Sequence, residues 1–502
     1  MAKRKKEENN PLQFDMFAEE INKKNKLNFT EEQKEFIEYK KKLSVILSAT
    51  AGAGKTFSCV QRLRFLVDEM GVDPKKIIFF SFTKAATEEL RKRIGRDDIE
   101  IRTIHSYCGK VLMRLRKFKD IVDYHKFIDW FKNKNKLPRN ASSDEKFEFE
   151  SAINRMYEEA QYNSSQISAF KLQKESGVKK MKLPDLWSDY MSFLRETKSR
   201  DMTDLLIEVS KLFKQDRYLK IFKDKYEYIF VDEYQDTSSI QMELLLALNA
   251  KYYYLIGDKN QSIYGFSGSN CKMVEDLLKT RRKTEVLNLS MNFRSDKEII
   301  YNSNKYSSLQ AVPSSKTDGF IDKHLMLRLD ELVDLLNKTK GEVAILARTN
   351  DTIKKMEYEL LKLQVPIRYS NYITESDFKD FRKGDSKMRP QTKLKFSRLK
   401  SYFNGSEKAV AAFIYNNISS NRFITSIHKS KGLEYDTVVA VNSIAPDVLM
   451  ENGYYDVLKE NKKLFDKVSF ELEDEEYEES QNIHYVAVSR PKHNLHFMIY
   501  KA

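Results

Sequence analysis

Residues Ala49–Thr56, ATAGAGKT, end in the Gly-Lys-Thr of a phosphate-binding loop, with alanine where the usual pattern opens on glycine. The preceding residues 43–47 (LSVIL) predict a buried strand, and residues 56–70 carry apolar side chains at helical spacing. In such a unit the loop N–H groups cradle phosphates at a helix N-terminus, Lys55 reaches the β- and γ-phosphate oxygens, and Thr56 offers a hydroxyl to Mg²⁺. A glycine-rich turn that matches by chance is the alternative. The expected nucleotide-binding loop residues are Ala51, Gly52, Ala53, Gly54, Lys55 and Thr56.

A second stretch, Tyr228–Thr237 (YIFVDEYQDT), is an apolar strand that ends in two adjacent carboxylates. Asp232 would hold the metal, and Glu233 would orient and deprotonate a water molecule. Adjacent acids at a strand end are often only a solvated loop. Together with the upstream loop, however, the pair predicts hydrolysis of a nucleoside triphosphate with Mg²⁺ as the cofactor.

The order of further motifs resembles the UvrD/Rep-like helicases of superfamily 1, from about Phe29 to the C-terminus. This resemblance implies an α/β fold with two RecA-like parallel-sheet lobes, a helical insertion called 1B and a minimal 2B region. The matching segments, in chain order, are LNFTEEQKEFI (27–37), SFTKAATEELRKRI (81–94), RTIHSYCGKVL (102–112), DMTDLL (201–206), LIGDKNQSIYGFSGS (255–269), LSMNFRS (289–295), VAILARTNDTIKKMEYELL (343–361), ITSIHKSKGLEYDTVV (424–439) and HYVAVSRPKHNL (484–495).

The resemblance also implies how the base and sugar of the nucleotide are bound. Gln33 would read the adenine edge with its amide, and Phe293, where the family often has tyrosine, would stack on the base. Gly432 and Glu434 resemble the family's phosphate and ribose contacts.

Three more residues are expected at the γ-phosphate. Arg294 and Arg490 would approach it from the second lobe, because planar guanidinium groups neutralise the charge that develops in phosphoryl transfer. Gln261 would sense this phosphate and relay its loss to the DNA groove.

The DNA contacts implied by the resemblance are aromatic and hydroxyl residues that could equally belong to the core. Phe82, Tyr264 and Phe266 are the stacking candidates, since bases of a single strand lie on aromatic faces. For the histidines below, a packed hydrogen bond between the lobes is the alternative. The residues expected to touch phosphates or sugars are Thr83, Thr103, His105, Thr425 and His428.

Composition agrees with a polyanionic partner. The chain has 502 residues and a formal net charge of +14, although a general excess of lysine would give the same value. The basic runs at residues 3–6, 40–42, 179–182 and 281–283 are dispersed along the sequence, and each alone predicts only a solvated surface.

The three cysteines, Cys59, Cys108 and Cys271, have no paired spacing, so neither a zinc site nor a disulfide framework is expected. No window approaches the roughly 18 apolar residues of a membrane span, and no signal peptide is evident. We therefore expect a soluble cytoplasmic protein that works in a reducing compartment, with no membrane partner.

Domain boundaries follow from the motif order. The family usually inserts a much larger 2B domain where this chain has only residues 367–421, and little sequence follows Arg490, so no appended nuclease domain is expected. Ser267 replaces a common arginine, and Ser489 and Pro491 alter the last motif, which puts the strength of DNA gripping in doubt. The expected segments are a tail (1–27), lobe 1A (28–110 and 201–287), insertion 1B (111–200), lobe 2A (288–366 and 422–502) and the reduced 2B region (367–421).

These features predict an ATP-driven motor that walks on single-stranded DNA and separates tailed duplex, in the 3′ to 5′ direction that the resemblance implies, during replication, repair or recombination. An alternative is a DNA-stimulated ATPase subunit that acts with a separate nuclease, as in phage defence. An RNA-directed motor is a further alternative, but no 2′-hydroxyl reader is recognisable.

The polar N-terminal tail contains one apolar island, QFDMF at residues 13–17. It resembles the short peptides by which bacterial and phage replication proteins dock on a sliding clamp, with Gln13, Phe14, Met16 and Phe17 as the contact residues. Alternatively, Phe14 and Phe17, at helical spacing, pack on the first lobe. The neighbouring KRKK could also serve as a nuclear address.

Overall fold

The computed structural model describes residues 28–115, 186–200, 202–264, 269–369, 399–443 and 474–500, together with short stretches at 120–121, 126–127, 130, 133–134 and 396–397. The clamp-like motif at residues 13–17, Phe266, most of insertion 1B, and residues 370–395 and 398 of the 367–421 region lie outside the described residues.

The first lobe is built on a six-stranded, entirely parallel sheet. Its strands are short apolar runs, as the sequence predicts for strands covered by helices on both faces. They are β1 (Ser44–Ala49), β2 (Ile77–Phe80), β3 (Glu100–Arg102), β6 (Tyr228–Asp232), β7 (Tyr252–Gly257) and β8 (Thr284–Leu289). Their spatial order is β3-β2-β6-β7-β1-β8. Two further short strands, β4 (Asp120–Ile121) and β5 (Ser199–Arg200), pair with each other in parallel at the two ends of the 1B region.

Helices cover both faces of this sheet. Successive residues of a strand point to opposite faces, so Val45 and Leu47 pack in one core cluster and Ile46 in the other. The helices are α1 (Glu31–Ile37), α2 (Lys55–Arg64), α3 (Lys84–Ile94), α4 (Ile104–Arg114), α5 (Leu186–Thr197), α6 (Met202–Phe213), α7 (Asp216–Leu219), α8 (Ser239–Ala247) and α9 (Cys271–Arg281).

The second lobe repeats this plan, and the two-lobed α/β fold expected from the sequence is confirmed. A two-stranded ladder of β9 (Met291–Asn292) and β10 (Val312–Pro313) leads into it. Its parallel strands are β11 (Phe320–Met326), β12 (Val343–Ala347), β13 (Arg368–Tyr369), β14 (Arg422–Ser426), β15 (Tyr435–Val441) and β16 (Pro491–Met498), in the order β11-β16-β15-β12-β14-β13. Its helices are α10 (Lys297–Asn304), α11 (Leu329–Lys338), α12 (Asn350–Lys362), α13 (Glu407–Ile418), α14 (Ile427–Ser430) and α15 (Asp474–Val488).

Parallel strands bring the loops that carry the motifs to one place. The carboxyl ends of β1, β6 and β7 lie at the same edge of the first sheet, so the phosphate loop, the carboxylate pair and the turn 258–264 are neighbours. Helix α15 of the second lobe packs against this turn. Within the described part of the chain, no helix combines the length and apolarity needed to cross a membrane.

Candidate nucleotide and nucleic-acid site

The phosphate loop needs glycine because the segment after β8 crosses it closely. Gly52 has φ 74°, and a Cβ built there would lie 2.8 Å from Cβ of Arg294 and 2.9 Å from Oδ1 of Asn292. Gly54, with φ 77°, precedes the first residue of α2. Asn292 also donates its side-chain N–H to the Ala51 carbonyl at 2.8 Å. The loop is therefore a bare backbone cradle at a helix N-terminus, which suits phosphate.

Two side chains flank this loop on the side predicted for the base. The Gln33 Nε2 lies 3.3 Å from the point that a Gly54 Cβ would occupy, while its carbonyl accepts the Thr30 N–H at 3.1 Å in an N-terminal capping box of α1. Phe293 donates its N–H to the Gly52 carbonyl at 3.0 Å and leaves 52% of its surface exposed. The Gln33 Nε2 donor and the exposed Phe293 ring thus both lie near the loop. The Gln33 side-chain oxygen already accepts one hydrogen bond, from Thr30.

The carboxylate pair ends β6. Glu233 adopts a left-handed conformation, φ 51°, and its N–H donates to Oδ1 of Asp232 at 3.1 Å. Burial and the neighbouring Glu233 charge raise the pKa of Asp232. Burial also opposes ionisation of Glu233, but Lys55, Lys431 and a 2.5 Å hydrogen bond from Gln235 outweigh it and hold the pKa of Glu233 below its usual value.

A magnesium ion fits the donors found here. Thr56 and Asp232 offer the hard oxygens that Mg²⁺ prefers, and Asp232 is buried beside a second carboxylate, Glu233. Among the described residues there is no cluster of three or more His, Cys, Asp or Glu side chains suited to a metal. A threonine hydroxyl and one carboxylate beside a phosphate loop suit Mg²⁺, which binds through one or two carboxylates plus substrate phosphates and water.

Arg490 reaches across from the second lobe. It is 1% exposed and donates to the Gln261 side-chain oxygen at 3.1 Å and to two carbonyls of its own lobe. Gln261 in turn donates to Oδ2 of Asp258 at 2.8 Å. Burial, with Arg294 nearby, lowers the pKa of Arg490 to about 10, so the guanidinium stays charged at neutral pH.

Two residues predicted to touch nucleotide instead bind each other. The Arg294 Nε donates to Oε2 of Glu434 at 2.8 Å, and Lys492 lies 3.6 Å from the other carboxylate oxygen. Burial works against this carboxylate, but the two cations lower the pKa of Glu434. The nearby Gly432 has φ 81° and open space around its Cα. The contact with Glu434 engages the Nε of Arg294, and Nη1 donates to the Ser489 carbonyl at 3.4 Å.

On the predicted DNA side an aromatic cluster bridges the lobes. Phe82, 42% exposed, has its ring centroid 5.4 Å from that of Tyr264. Tyr264 lies 5.9 Å from the His428 ring and donates its hydroxyl to the His428 carbonyl at 3.4 Å. The His428 ring thus packs against Tyr264 across the lobes, and the Phe82 side chain is partly exposed to solvent.

The other predicted DNA contacts have structural tasks as well. The Thr83 and Thr103 hydroxyls accept backbone N–H groups and cap α3 and α4, and Thr103 is buried. Thr425 lies half-buried in β14. His105 lines a cavity of about 80 Å³ with Phe82 and Asp232. Burial lowers the pKa of His105 and of His428 and so favours the neutral imidazole in both.

Two sequence profiles of known families match the chain. The UvrD/REP helicase N-terminal domain covers residues 29–282, and the UvrD-like helicase C-terminal domain covers residues 375–502. The chain belongs to the UvrD/REP helicase family. Relatives include a probable DNA helicase II homolog of Mycoplasma capricolum (29% identical over 358 residues, 64% of this chain and 49% of the relative). The ATP-dependent DNA helicase PcrA of Staphylococcus aureus strain NCTC 8325 is 26% identical over 366 residues (64% and 48%). The Bacillus subtilis PcrA is 30% identical over 286 residues (52% and 37%). This chain thus spans about half the length, or less, of these curated relatives.

In this UvrD/REP-family chain, two interlobe residues have no role predicted from the sequence. Lys431, whose side chain is 9% exposed, places its Nζ 2.6 Å from Oδ2 of Asp236 and 2.6 Å from the Gln261 carbonyl. The Tyr485 hydroxyl accepts the Ala51 N–H at 3.4 Å and donates to Asp258 at 3.2 Å. Both lie inside matched motifs, but only the contact across the lobes shows which atoms they join.

Proposed function

We propose that this chain is an ATP-dependent motor that translocates on single-stranded DNA in the 3′ to 5′ direction and unwinds tailed duplex, in replication, repair or recombination. One observation carries the proposal. Gln261, which binds Arg490 at the nucleotide site, and Tyr264, which packs in the aromatic cluster, lie three residues apart in one short turn. A change at the nucleotide is therefore transmitted directly to the surface where bases would stack.

Six polar side chains of the nucleotide site would take part in hydrolysis. Lys55 at the start of α2 would bind the β- and γ-phosphate oxygens, and Glu233, held ionised by the surrounding cations, would accept a proton from the attacking water. Arg490 and Arg294 would neutralise the transferring phosphoryl group. A magnesium ion held by Thr56 and Asp232 would supply charge neutralisation at the phosphates when bound.

The lobes are joined where the chemistry takes place. Arg490, Lys431 and Tyr485 of the second lobe all contact the phosphate loop, Asp236 or the turn 258–261 of the first. Loss of the γ-phosphate would remove a ligand shared by both lobes and allow them to separate. Alternate closing and opening would then move the bases past the ring of Tyr264.

The test is ATPase and strand displacement on 3′-tailed, 5′-tailed and RNA-tailed duplexes. We expect displacement from the 3′ DNA tail, loss of hydrolysis by orders of magnitude in Glu233→Gln with ATP binding retained, and impaired nucleotide binding as well in Lys55→Ala. Displacement from the 5′ tail alone would overturn the polarity, and normal turnover by Glu233→Gln would overturn the general-base role.

The same assay separates a second candidate. The reduced region at residues 367–421 would suit a DNA-stimulated ATPase subunit that works with a separate nuclease. ATPase stimulated by single-stranded DNA without strand displacement on any tail would favour this role over an autonomous helicase.

We also propose a tether to a sliding clamp in the bacterial cytoplasm. Its support is the QFDMF pattern at residues 13–17, in a polar tail that would hold the motor near replicating DNA and raise its local concentration there. The test is binding of the full chain to the clamp of its own organism. Gln13→Ala and Phe17→Ala should each weaken binding, and binding indifferent to both changes would contradict the tether.

A further inference from the structure

Two basic runs that are far apart in the sequence are neighbours in the fold. Strands β1 and β8 pair in parallel with Ser44 opposite Thr284, and the Ser44 N–H donates to the Lys283 carbonyl at 2.9 Å. The run 40–42 leads into β1 and the run 281–283 leads into β8. Because the strands are parallel, both runs lie at the same amino-terminal edge of the sheet.

The basic edge continues along the sheet. Lys251 precedes β7, residues 223–225 precede β6, and residues 75–76 precede β2. The segments that precede these strands contact one another. The Tyr252 N–H donates to the Glu227 carbonyl at 2.9 Å, and the Glu227 N–H donates to the Lys76 carbonyl at 2.7 Å. We name this surface the amino-edge face: residues 40–42, 75–76, 223–225, 251 and 281–283.

Much of the positive charge of the amino-edge face is uncompensated. Three of its lysines are paired, Lys41 with Glu285 at 2.7 Å, Lys251 with Glu227 at 3.1 Å and Lys225 with Glu100 at 3.1 Å. Three exposed carboxylates, those of Glu38, Asp73 and Asp224, lie in the segments that lead into these strands. They are fewer than the remaining cations. The exposed cations that make no ion pair with any described residue include Lys42, Lys75, Lys223, Arg281 and Lys283.

We propose that the amino-edge face binds the phosphate backbone of duplex DNA, as a second nucleic-acid surface beyond the proposed motor site. Five neighbouring strands at about 4.8 Å spacing make this edge roughly 20 Å wide. A duplex carries one charge per about 1.7 Å of its axis, so this width faces on the order of ten phosphates.

A duplex fits this face better than a single strand. Single strands are gripped by exposed aromatic rings, and the strongly exposed aromatic residues of the described chain, Phe82 and Phe293 among them, lie elsewhere. Lysine and arginine without stacking partners can hold a backbone but cannot read unpaired bases. The face is also remote from the nucleotide site, because the phosphate loop follows the carboxyl end of β1, a six-residue strand about 20 Å long.

The test uses the full chain and a blunt duplex of about two helical turns, roughly 20 base pairs. The variant is the triple charge reversal Lys42→Glu, Arg281→Glu and Lys283→Glu, with duplex affinity measured as a function of salt concentration. Loss of three phosphate contacts should reduce the magnitude of the log–log salt slope by about 2.7 and weaken binding up to about 10²-fold at 0.1 M salt. ATPase stimulated by single-stranded DNA should be unchanged, which also shows that the variant folds.

The matched control reverses three exposed lysines of the second lobe, Lys316→Glu, Lys338→Glu and Lys340→Glu, and should leave the salt slope closer to that of the wild type. If the triple variant fails to fold, the glutamine versions at residues 42, 281 and 283 should still reduce the slope. An unchanged slope, or an equal loss in the control, overturns the proposal. If the triple variant lost binding to polyglutamate but kept its binding to the duplex, the face would be assigned to an acidic protein, and this result would also overturn the proposal. Failure of the motor itself would appear separately, as ATPase that single-stranded DNA does not stimulate.

Discussion

Replacing Lys431 with methionine removes the cation that the second lobe inserts between Asp236 and the Gln261 carbonyl. The Asp236 side chain is 1% exposed, and its Oδ1 has no hydrogen-bond partner in the described structure. The carboxylate would then remain in the lobe interface without its cation. Methionine keeps a similar side-chain length, so the change is chiefly electrostatic.

The magnitude follows from this burial. Removing one partner of a buried ion pair costs about 3–5 kcal/mol. Burial already raises the pKa of Asp236 to about 7 even with Lys431 present, so protonation relieves part of the cost. We therefore expect the lower end, about 3 kcal/mol, as a loss of stability of the joined lobe interface. Because hydrolysis would need Arg490 to be held at this interface, kcat/KM for DNA-stimulated ATPase should fall by up to roughly 10²-fold. The defect should be larger at pH 8 than at pH 6, because Asp236 is more fully ionised at the higher pH.

The assay is a double-mutant cycle of Lys431→Met and Asp236→Asn, read as steady-state ATPase. The double variant should lose less than the sum of the single losses, with a coupling energy of about 1–3 kcal/mol. Lys429→Met is the matched control, because Lys429 is exposed on the same segment. Additive losses, or a pH trend of the opposite sign, would refute the ion pair as an element of the working enzyme.

Three further outcomes are expected. Tyr264→Ala should weaken single-stranded DNA binding by about 1–3 kcal/mol in a fluorescence titration while DNA-independent ATPase survives, and Tyr264→Phe should not, since stacking needs only the ring. Tyr485→Phe should raise the activation free energy for kcat/KM by about 1–3 kcal/mol in steady-state ATPase, because the Ala51 N–H and Asp258 lose a buried partner. An unchanged kcat/KM would show that the hydroxyl does not contribute to hydrolysis. Three cations and Tyr226 lower the pKa of Glu100 from 4.5 to about 2 despite burial. The contribution of ionised Glu100 to the free energy of unfolding is therefore complete above pH 4.5 and is lost as the pH falls toward 2. Urea unfolding should therefore show Glu100→Gln destabilised by about 2–3 kcal/mol at pH 7 and progressively less so below pH 4.5. A difference in unfolding free energy between wild type and variant that does not change with pH would contradict the lowered pKa of Glu100.

The features that could be predicted best from the sequence are those formed by residues close together in the chain. The phosphate loop combines a buried strand, glycines and a helix start within a few residues, and the carboxylate pair follows its strand directly. Prediction from the sequence was weakest for single hydroxyl and charged residues. Thr83 and Thr103 directly precede helices, and a hydroxyl residue at this position is a local signal for helix capping. The pairing of Arg294 with Glu434, 140 positions apart, left no local signal at all.

The sequence by itself determined four strands of the first lobe, the phosphate loop and the family, because apolar runs, glycine placement and motif order can all be read along the chain. Only the tertiary structure decided which motifs meet across the lobes, since Lys431 and Asp236 are brought together by the packing of the two lobes. It also decided the meaning of the basic runs at 40–42 and 281–283. Each alone is a solvated stretch, and parallel pairing of β1 with β8 makes them one charged surface.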